Sequence, residues 1–118
     1  MPYAHEYLIF LRKAISQDYY HFSPVLQPLL SDKTGDLVVR PASEAEVLPI
    51  AAACVKSKIP LTVGGAGTGN YGHCILLKGG VLLDTSKMNS IRWIKPGLAC
   101  VEPGLKMSVF DKQARETG

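Results

Sequence analysis

The chain has 118 residues, 47% of them hydrophobic and 19% charged, which suffices for one buried core but not for two full domains. Its net charge of +3 comes from interspersed acids and bases, which mildly favours an anionic ligand and lacks the clustered footprint of a nucleic-acid binder. No stretch of 18 apolar residues offers a transmembrane helix, and Met1-Pro2-Tyr3-Ala4-His5-Glu6 lacks the basic-then-apolar order of a signal peptide, so a cytoplasmic location is expected.

Residues 5–16 place Leu8, Leu11 and Ile15 at helical spacing, with Phe10 and Ala14 beside that face. Ser23-Pro24 opens a second possible helix, the hydroxyl as N-cap and proline at the first position, with Val25, Leu26, Leu29 and Leu30 as its apolar residues. Ser31 to Asp36 is polar and reads as a loop. Met1–Leu30 reads as scaffold, with Tyr19, Tyr20 and His21 as packing or surface residues. The expected division is a helical segment over residues 1–35 and a second unit over 36–118.

Leu37-Val38-Val39-Arg40 has the pattern of a short buried strand, ended by Pro41, which cannot donate to a ladder. Ser43 and Glu46 form the sequence of a capping box. The helix that follows would turn Val47, Ile50, Ala51, Cys54 and Val55 inward, with Pro49 at a position able to kink it. Lys56-Ser57-Lys58 ends it with charge suited to the helix dipole. Leu61-Thr62-Val63 returns as a strand, so residues 37–63 make a βαβ unit, with parallel strands and a right-handed crossover expected. Val81-Leu82-Leu83-Asp84 is a third buried strand. Ile91-Arg92-Trp93-Ile94 and Leu98-Ala99-Cys100-Val101 flank Lys95-Pro96-Gly97 and read as a β-hairpin. Lys106 to Thr117 reads as a helix with Val109, Phe110 and Ala114 inward. The cysteines, Cys54, Cys74 and Cys100, are far apart without a C-x-x-C pair, the pattern of reduced, packed thiols rather than a metal site.

One stretch calls for chemistry. In Gly64-Gly65-Ala66-Gly67-Thr68-Gly69-Asn70-Tyr71-Gly72, five of nine residues are glycine. Each glycine in an ordered element costs roughly 0.5–1 kcal/mol relative to alanine, so such a loop needs bare backbone, the usual reason being close approach of main-chain N–H groups to a phosphate. Gly67 to Gly72 spells G-x-G-x-x-G, but only His73-Cys74-Ile75-Leu76-Leu77-Lys78 separates it from Gly79-Gly80, too short for the crossover helix of a Rossmann unit. No Gly-Lys-Ser/Thr closes it as a P-loop. Consecutive loop amides would hold the anion without a helix dipole behind them.

Val38-Val39-Arg40-Pro41 with Ser43-Glu44-Ala45-Glu46-Val47, the glycine loop, Gly80-Val81-Leu82-Leu83-Asp84 and Val101-Glu102-Pro103-Gly104 together resemble the FAD-linked oxidases of the vanillyl-alcohol-oxidase/PCMH type, in their glycolate oxidase and D-lactate dehydrogenase-like branch. The resemblance runs from about Asp36 to Gly118. It implies an α+β fold, an α/β sandwich-like first subdomain of a PCMH-type FAD-binding domain, with a small parallel βαβ sheet, flanking helices and a β-hairpin. It also implies that Gly65, Ala66, Gly67, Thr68 and Gly69 bind the FAD pyrophosphate, with Asn70 and Gly72 matching the same pattern. Pro41 would lie beside the adenine end, and Gly104 near the diphosphate or ribose. Ser86 and Lys87 are weaker candidates, and Asp84 reads as a turn-former.

Two departures refine the expectation. Relatives often carry arginine or lysine where this chain has Gly64, and histidine, the covalent flavin attachment, where it has Thr68; FAD should therefore be bound non-covalently. The family's substrate-binding cap, its second set of FAD-contacting glycines and its catalytic residues lie beyond the matched stretch, so no catalytic and no metal-binding residue is expected here. The chain would supply cofactor positioning to an enzyme oxidising a small 2-hydroxy acid such as glycolate or lactate, whose α-hydrogen goes to the flavin in the resembled enzymes. It should be inactive alone, with a homodimer or a companion polypeptide completing the flavin site. The alternative is a non-catalytic nucleotide- or partner-binding module derived from a truncated flavin fold.

Overall fold

The computed structural model describes residues 12–117. Strands β1 (Leu37–Val39), β2 (Leu61–Gly64) and β3 (Val81–Asp84) form a parallel sheet in the order β1-β3-β2. All four β3 residues are buried, as a strand covered on both faces requires, and that continuous apolar run takes the centre. β1 and β2 are parallel, as the βαβ pattern predicts, but they do not pair, because β3 inserts between them. The register sets Val39 beside Leu83 and Gly64 beside Asp84. The three carboxyl ends, leading into Arg40, Gly65 and Thr85, therefore share one edge.

Helix α1 (Gln27–Leu30) starts later than expected: Pro24–Leu26 form a turn in which the Ser23 hydroxyl accepts the Leu26 N–H at 3.3 Å, and Leu26, not Ser23, stands at the N-cap. A single 3-10 turn, Tyr19–Phe22, precedes it without a periodicity signal in the sequence. Of the helix expected over residues 5–16, residues 12–15 are helical; its Leu8, Phe10 and Leu11 lie outside the described residues, as does Gly118. The crossover helix α2 (Glu44–Lys56) continues through Pro49. Its cap differs from the expected box: the Ser43 hydroxyl makes no capping bond, while Glu46 reaches one residue further back to accept the Ala42 N–H at 2.7 Å. Cys54 is buried and Val47, Ile50 and Ala51 half-buried, but Val55, expected inward, is 78% exposed.

β4 (Ile91–Lys95) and β5 (Leu98–Val101) form the antiparallel hairpin, with a register irregularity between Ile91 and Trp93. Gly97 at φ +76° makes its turn. Helix α3 (Met107–Thr117) turns Phe110 and Ala114 toward the hairpin tip, where they line a cavity of about 370 Å³ with Ile94 and Leu98. Val109, expected inward, is 46% exposed. The Pro103-Gly104 turn before α3 is pressed against the turn after β3: Gly104 N–H donates to Met88 O at 2.8 Å, and a Cβ on Gly104 would collide with Thr85 O at 1.9 Å.

The ends of β1 and β3 are tied by an ion pair. Arg40 Nε donates to Asp84 Oδ2 at 2.5 Å, and Asp84 Oδ1 accepts the Ser86 N–H at 2.9 Å, an Asx-turn that confirms its turn-forming role. Burial pushes the Asp84 carboxyl upward, but the Ser86 amide and the Arg40 guanidinium outweigh it and hold the carboxyl below its ordinary value. A depressed carboxyl adds stability that is present above its unfolded value and lost as pH falls through the folded one.

Two outcomes follow. Gly104→Ala should lower unfolding stability by ~2 kcal/mol or more through backbone collision, whereas Gly97→Ala, with open space around its Cβ, should cost only the left-handed strain of ~1–2 kcal/mol; urea titration with unchanged slope checks both. Asp84→Asn should cost roughly 1–2 kcal/mol at pH 7, discounted because Arg40 is half exposed, and should flatten the acid limb of stability against pH; an unchanged acid limb would contradict the assignment.

Candidate functional site

The glycine loop leaves β2 at the shared carboxyl edge, where α/β folds place ligands. Three of its carbonyls are engaged. Gly64 O accepts the Thr85 N–H at 3.0 Å and the Thr85 hydroxyl at 3.2 Å, Gly69 O accepts the Tyr19 N–H at 2.8 Å, and Gly72 O accepts the Ile75 N–H at 3.1 Å. Its amides from Gly65 to Asn70 are not: among the described residues, nothing accepts from the N–H of Gly65, Ala66, Gly67, Thr68, Gly69 or Asn70. All described peptides are trans, so anchoring the Gly64 and Gly69 carbonyls turns the Gly65 N–H away from Thr85 and the Asn70 N–H away from Tyr19. Consecutive amides without a partner among the described residues are donors available to an anion.

Gly65 and Ala66 stand between two clefts. One, of about 470 Å³, is walled by Gly64–Gly67, Arg40, Asp84 and Ser86 on one side and by Asp18, Tyr19 and His21 on the other. The second, of about 330 Å³, runs from Gly65 and Ala66 across Ser86 to Gly104 and Val109. Lys106 lines both, so cationic side chains flank the amides although Gly64 itself carries none. A side chain at Gly64 would be crowded by Leu82, 3.2 Å from its Cβ position. The cleft's carboxylates are already engaged, Asp84 as above and Asp18 with the amides of Tyr20 and Gly72 at 2.8 and 3.0 Å.

The structure thus brings Gly65, Ala66, Gly67, Ser86 and Gly104 to one place, with Thr68, Gly69 and Asn70 in the same loop. Gly72 lies further along; its φ is +73° and its N–H is taken by Asp18. Pro41 is fully buried and lines neither cleft, and Lys87 is exposed outside them. Sequence reasoning passed over Arg40, Asp18, Tyr19 and Lys106. Arg40 was legible in part, standing where a parallel strand ends, but only the β1-β3-β2 order sets it against Asp84. Lys106, two residues after Gly104, carried a similar positional signal. Tyr20 is the buried anchor of its segment, its hydroxyl donating to Leu30 O at 3.2 Å, while Tyr19 and His21 face the larger cleft. Cys54, Cys74 and Cys100 are all free thiols. Among the described residues no helix is long and apolar enough to cross a membrane.

Comparison with known proteins identifies the family of the chain. Residues 35–118 match the FAD binding domain family. The chain is 31% identical over 102 residues to the mitochondrial D-lactate dehydrogenase [cytochrome] of Arabidopsis thaliana, an alignment covering 85% of this chain and 18% of that protein. It is 38% identical over 72 residues to the glycolate oxidase subunit GlcD of Escherichia coli (strain K12), covering 59% of this chain and 14% of that subunit. In fold it matches alkyldihydroxyacetonephosphate synthase with a TM-score of 0.74 at 20% identity, covering 92% of this chain and 23% of that one. The chain therefore spans less than a quarter of the length of these relatives. It carries an FAD-binding domain of the FAD-linked oxidoreductases and belongs to that family, with FAD as its cofactor.

Proposed function

We propose that this chain holds the diphosphate of FAD on the loop amides from Gly65 to Asn70 and so positions the flavin of an oxidoreductase acting on a small 2-hydroxy acid. The observation that carries the reading is the run of six consecutive amides, Gly65 to Asn70, left without a partner among the described residues between the anchored carbonyls of Gly64 and Gly69. Thr68 and Asn70 add side-chain donors, Gly104 leaves room across the second cleft, and Lys106 and Arg40 supply positive charge. Pro41 and Gly72 contribute shape: Pro41 closes the end of β1, and Gly72 turns the chain where a Cβ would meet Leu30 at 2.6 Å. FAD, when bound non-covalently, supplies the two-electron chemistry.

The substrate class rests on the relatives' names, D-lactate dehydrogenase and glycolate oxidase. In this reading the segment up to residue 35 precedes the flavin unit of residues 36–118, and the protein works in the cytoplasm. A homodimer contact or a companion polypeptide completes the flavin site. Large exposed apolar side chains, including Phe22, Val55 and Met107 at 74–78% exposure, offer surface for such a contact. A second reading, a non-catalytic nucleotide- or partner-binding module, draws support from the engaged state of Asp18 and Asp84, which leaves neither carboxylate free to act as a base.

About four charge-assisted hydrogen bonds at ~1.5–3 kcal/mol each amount to ~6–12 kcal/mol before ordering and desolvation costs, against the ~12 kcal/mol net of a nanomolar complex. The chain alone should therefore bind FAD weakly. In a titration followed by amide NMR, FAD should shift Gly65–Asn70 selectively while riboflavin, which lacks the diphosphate, leaves them in place; equal shifts with both ligands would contradict the reading. Gly65→Ala is the sharpest variant. Its Cβ meets nothing within 4 Å, so stability should stay within ~0.5 kcal/mol of the parent, while FAD affinity falls roughly tenfold as the methyl enters the cleft.

A further inference from the structure

The matched family region begins at residue 35, yet the clamp on the glycine loop comes from before it. Asp18, 2% exposed, presents one carboxylate oxygen to the Tyr20 N–H and the other to the Gly72 N–H, 54 residues further along the chain. Its neighbour Tyr19 gives its N–H to Gly69 O. The same oxygen that holds Gly72 would sit 3.2 Å from a Cβ on Gly69, and a Cβ on Gly67 would sit 3.3 Å from Gln17 O, so both glycines pack closely against the leading segment. That segment is itself pinned: the Ser16 hydroxyl accepts the Gly35 N–H at 3.1 Å, and buried Tyr20 bonds to Leu30 O. The far half of the loop thus has no sheet partner and takes its curvature from two residues that carry no glycine signature.

We propose that Asp18 and Tyr19 are positioning residues of the diphosphate site: by fixing Gly69 and Gly72 they anchor the far end of the Gly65–Asn70 run and keep its amides turned toward the anion. The proposal rests on the loop being the FAD diphosphate site. It also explains how a buried carboxylate can line a cleft meant for an anion, since both its oxygens are occupied by amide donors. Tyr19 is the first residue of the 3-10 turn and Asp18 before it is extended, at φ −121° and ψ −162°, so proline fits at position 19 and, beyond the side chain that alanine also loses, removes the N–H.

The test uses the full chain, with inorganic pyrophosphate and FAD as probes, read by amide NMR. In the wild type, Gly72 and Tyr19 amides should exchange slowly, and Gly65–Asn70 amides should exchange fast and slow down when either probe binds. Tyr19→Pro should raise the dissociation constant for both probes roughly tenfold over Tyr19→Ala, which loses the same side chain but keeps the N–H. Asp18→Asn should weaken both probes similarly and move the 31P shift of bound pyrophosphate, with Asp18→Glu restoring part of the affinity. If neither probe binds the wild type, the diphosphate reading fails and the proposal with it. If the wild type binds but Tyr19→Pro matches Tyr19→Ala, or the wild-type Gly72 amide exchanges freely, the positioning role is overturned while the diphosphate reading stands. Should Asp18→Asn not fold, the Tyr19 pair and the wild-type exchange decide the matter.

Discussion

Two carbonyls, those of Gly64 and Gly69, are each held by a residue distant in sequence, Thr85 and Tyr19, and the trans peptide plane does the rest. Once an oxygen is fixed on one side, the amide of the next residue must face the other. Glycine is needed where side chains would block that amide face or collide with the clamps, which is why the loop concentrates it. This loop leaves six adjacent donors without a partner among the described residues, and the FAD that its family binds carries a diphosphate.

The clamps exist because β3 lies in the middle of the sheet. Its four buried residues pair with β1 on one side and β2 on the other, delivering Thr85 to Gly64, Asp84 to Arg40, and Ser86 to both clefts. The turn after β3 in turn receives Gly104, where the main chains of two turns pack too closely for any side chain. Packing of the sheet, more than the glycines alone, makes the site. Around it the buried apolar core is small, and many large apolar side chains remain at the surface of a chain that covers 14–23% of its relatives' length.

Much of this was legible in the amino-acid order. The three parallel strands, the crossover helix, the Pro-Gly hairpin and the last helix each announce themselves by a local period or a turn residue, and the glycine loop by composition. What stayed hidden is what depends on adjacency. Strand order is set by which run tolerates burial on both faces, so the insertion of β3 between β1 and β2, and with it the Arg40–Asp84 pair, could not be read from connection lengths. Asp18 is an ordinary aspartate before two tyrosines; only a contact spanning 54 residues gives it a role. Ser43 looks like a complete cap, yet Glu46 alone closes the helix end, and Val55 and Val109 follow helical spacing yet stay exposed. Periodicity identifies a face without saying what packs against it.

A crystal structure of the chain with bound FAD or ADP tests the central claim most directly. The account places diphosphate oxygens about 2.7–3.2 Å from main-chain nitrogens between Gly65 and Asn70, with the Gly64 and Gly69 carbonyls still turned toward Thr85 and Tyr19. A diphosphate held by Lys106 or Arg40 side chains alone, with those nitrogens still facing solvent, would contradict it.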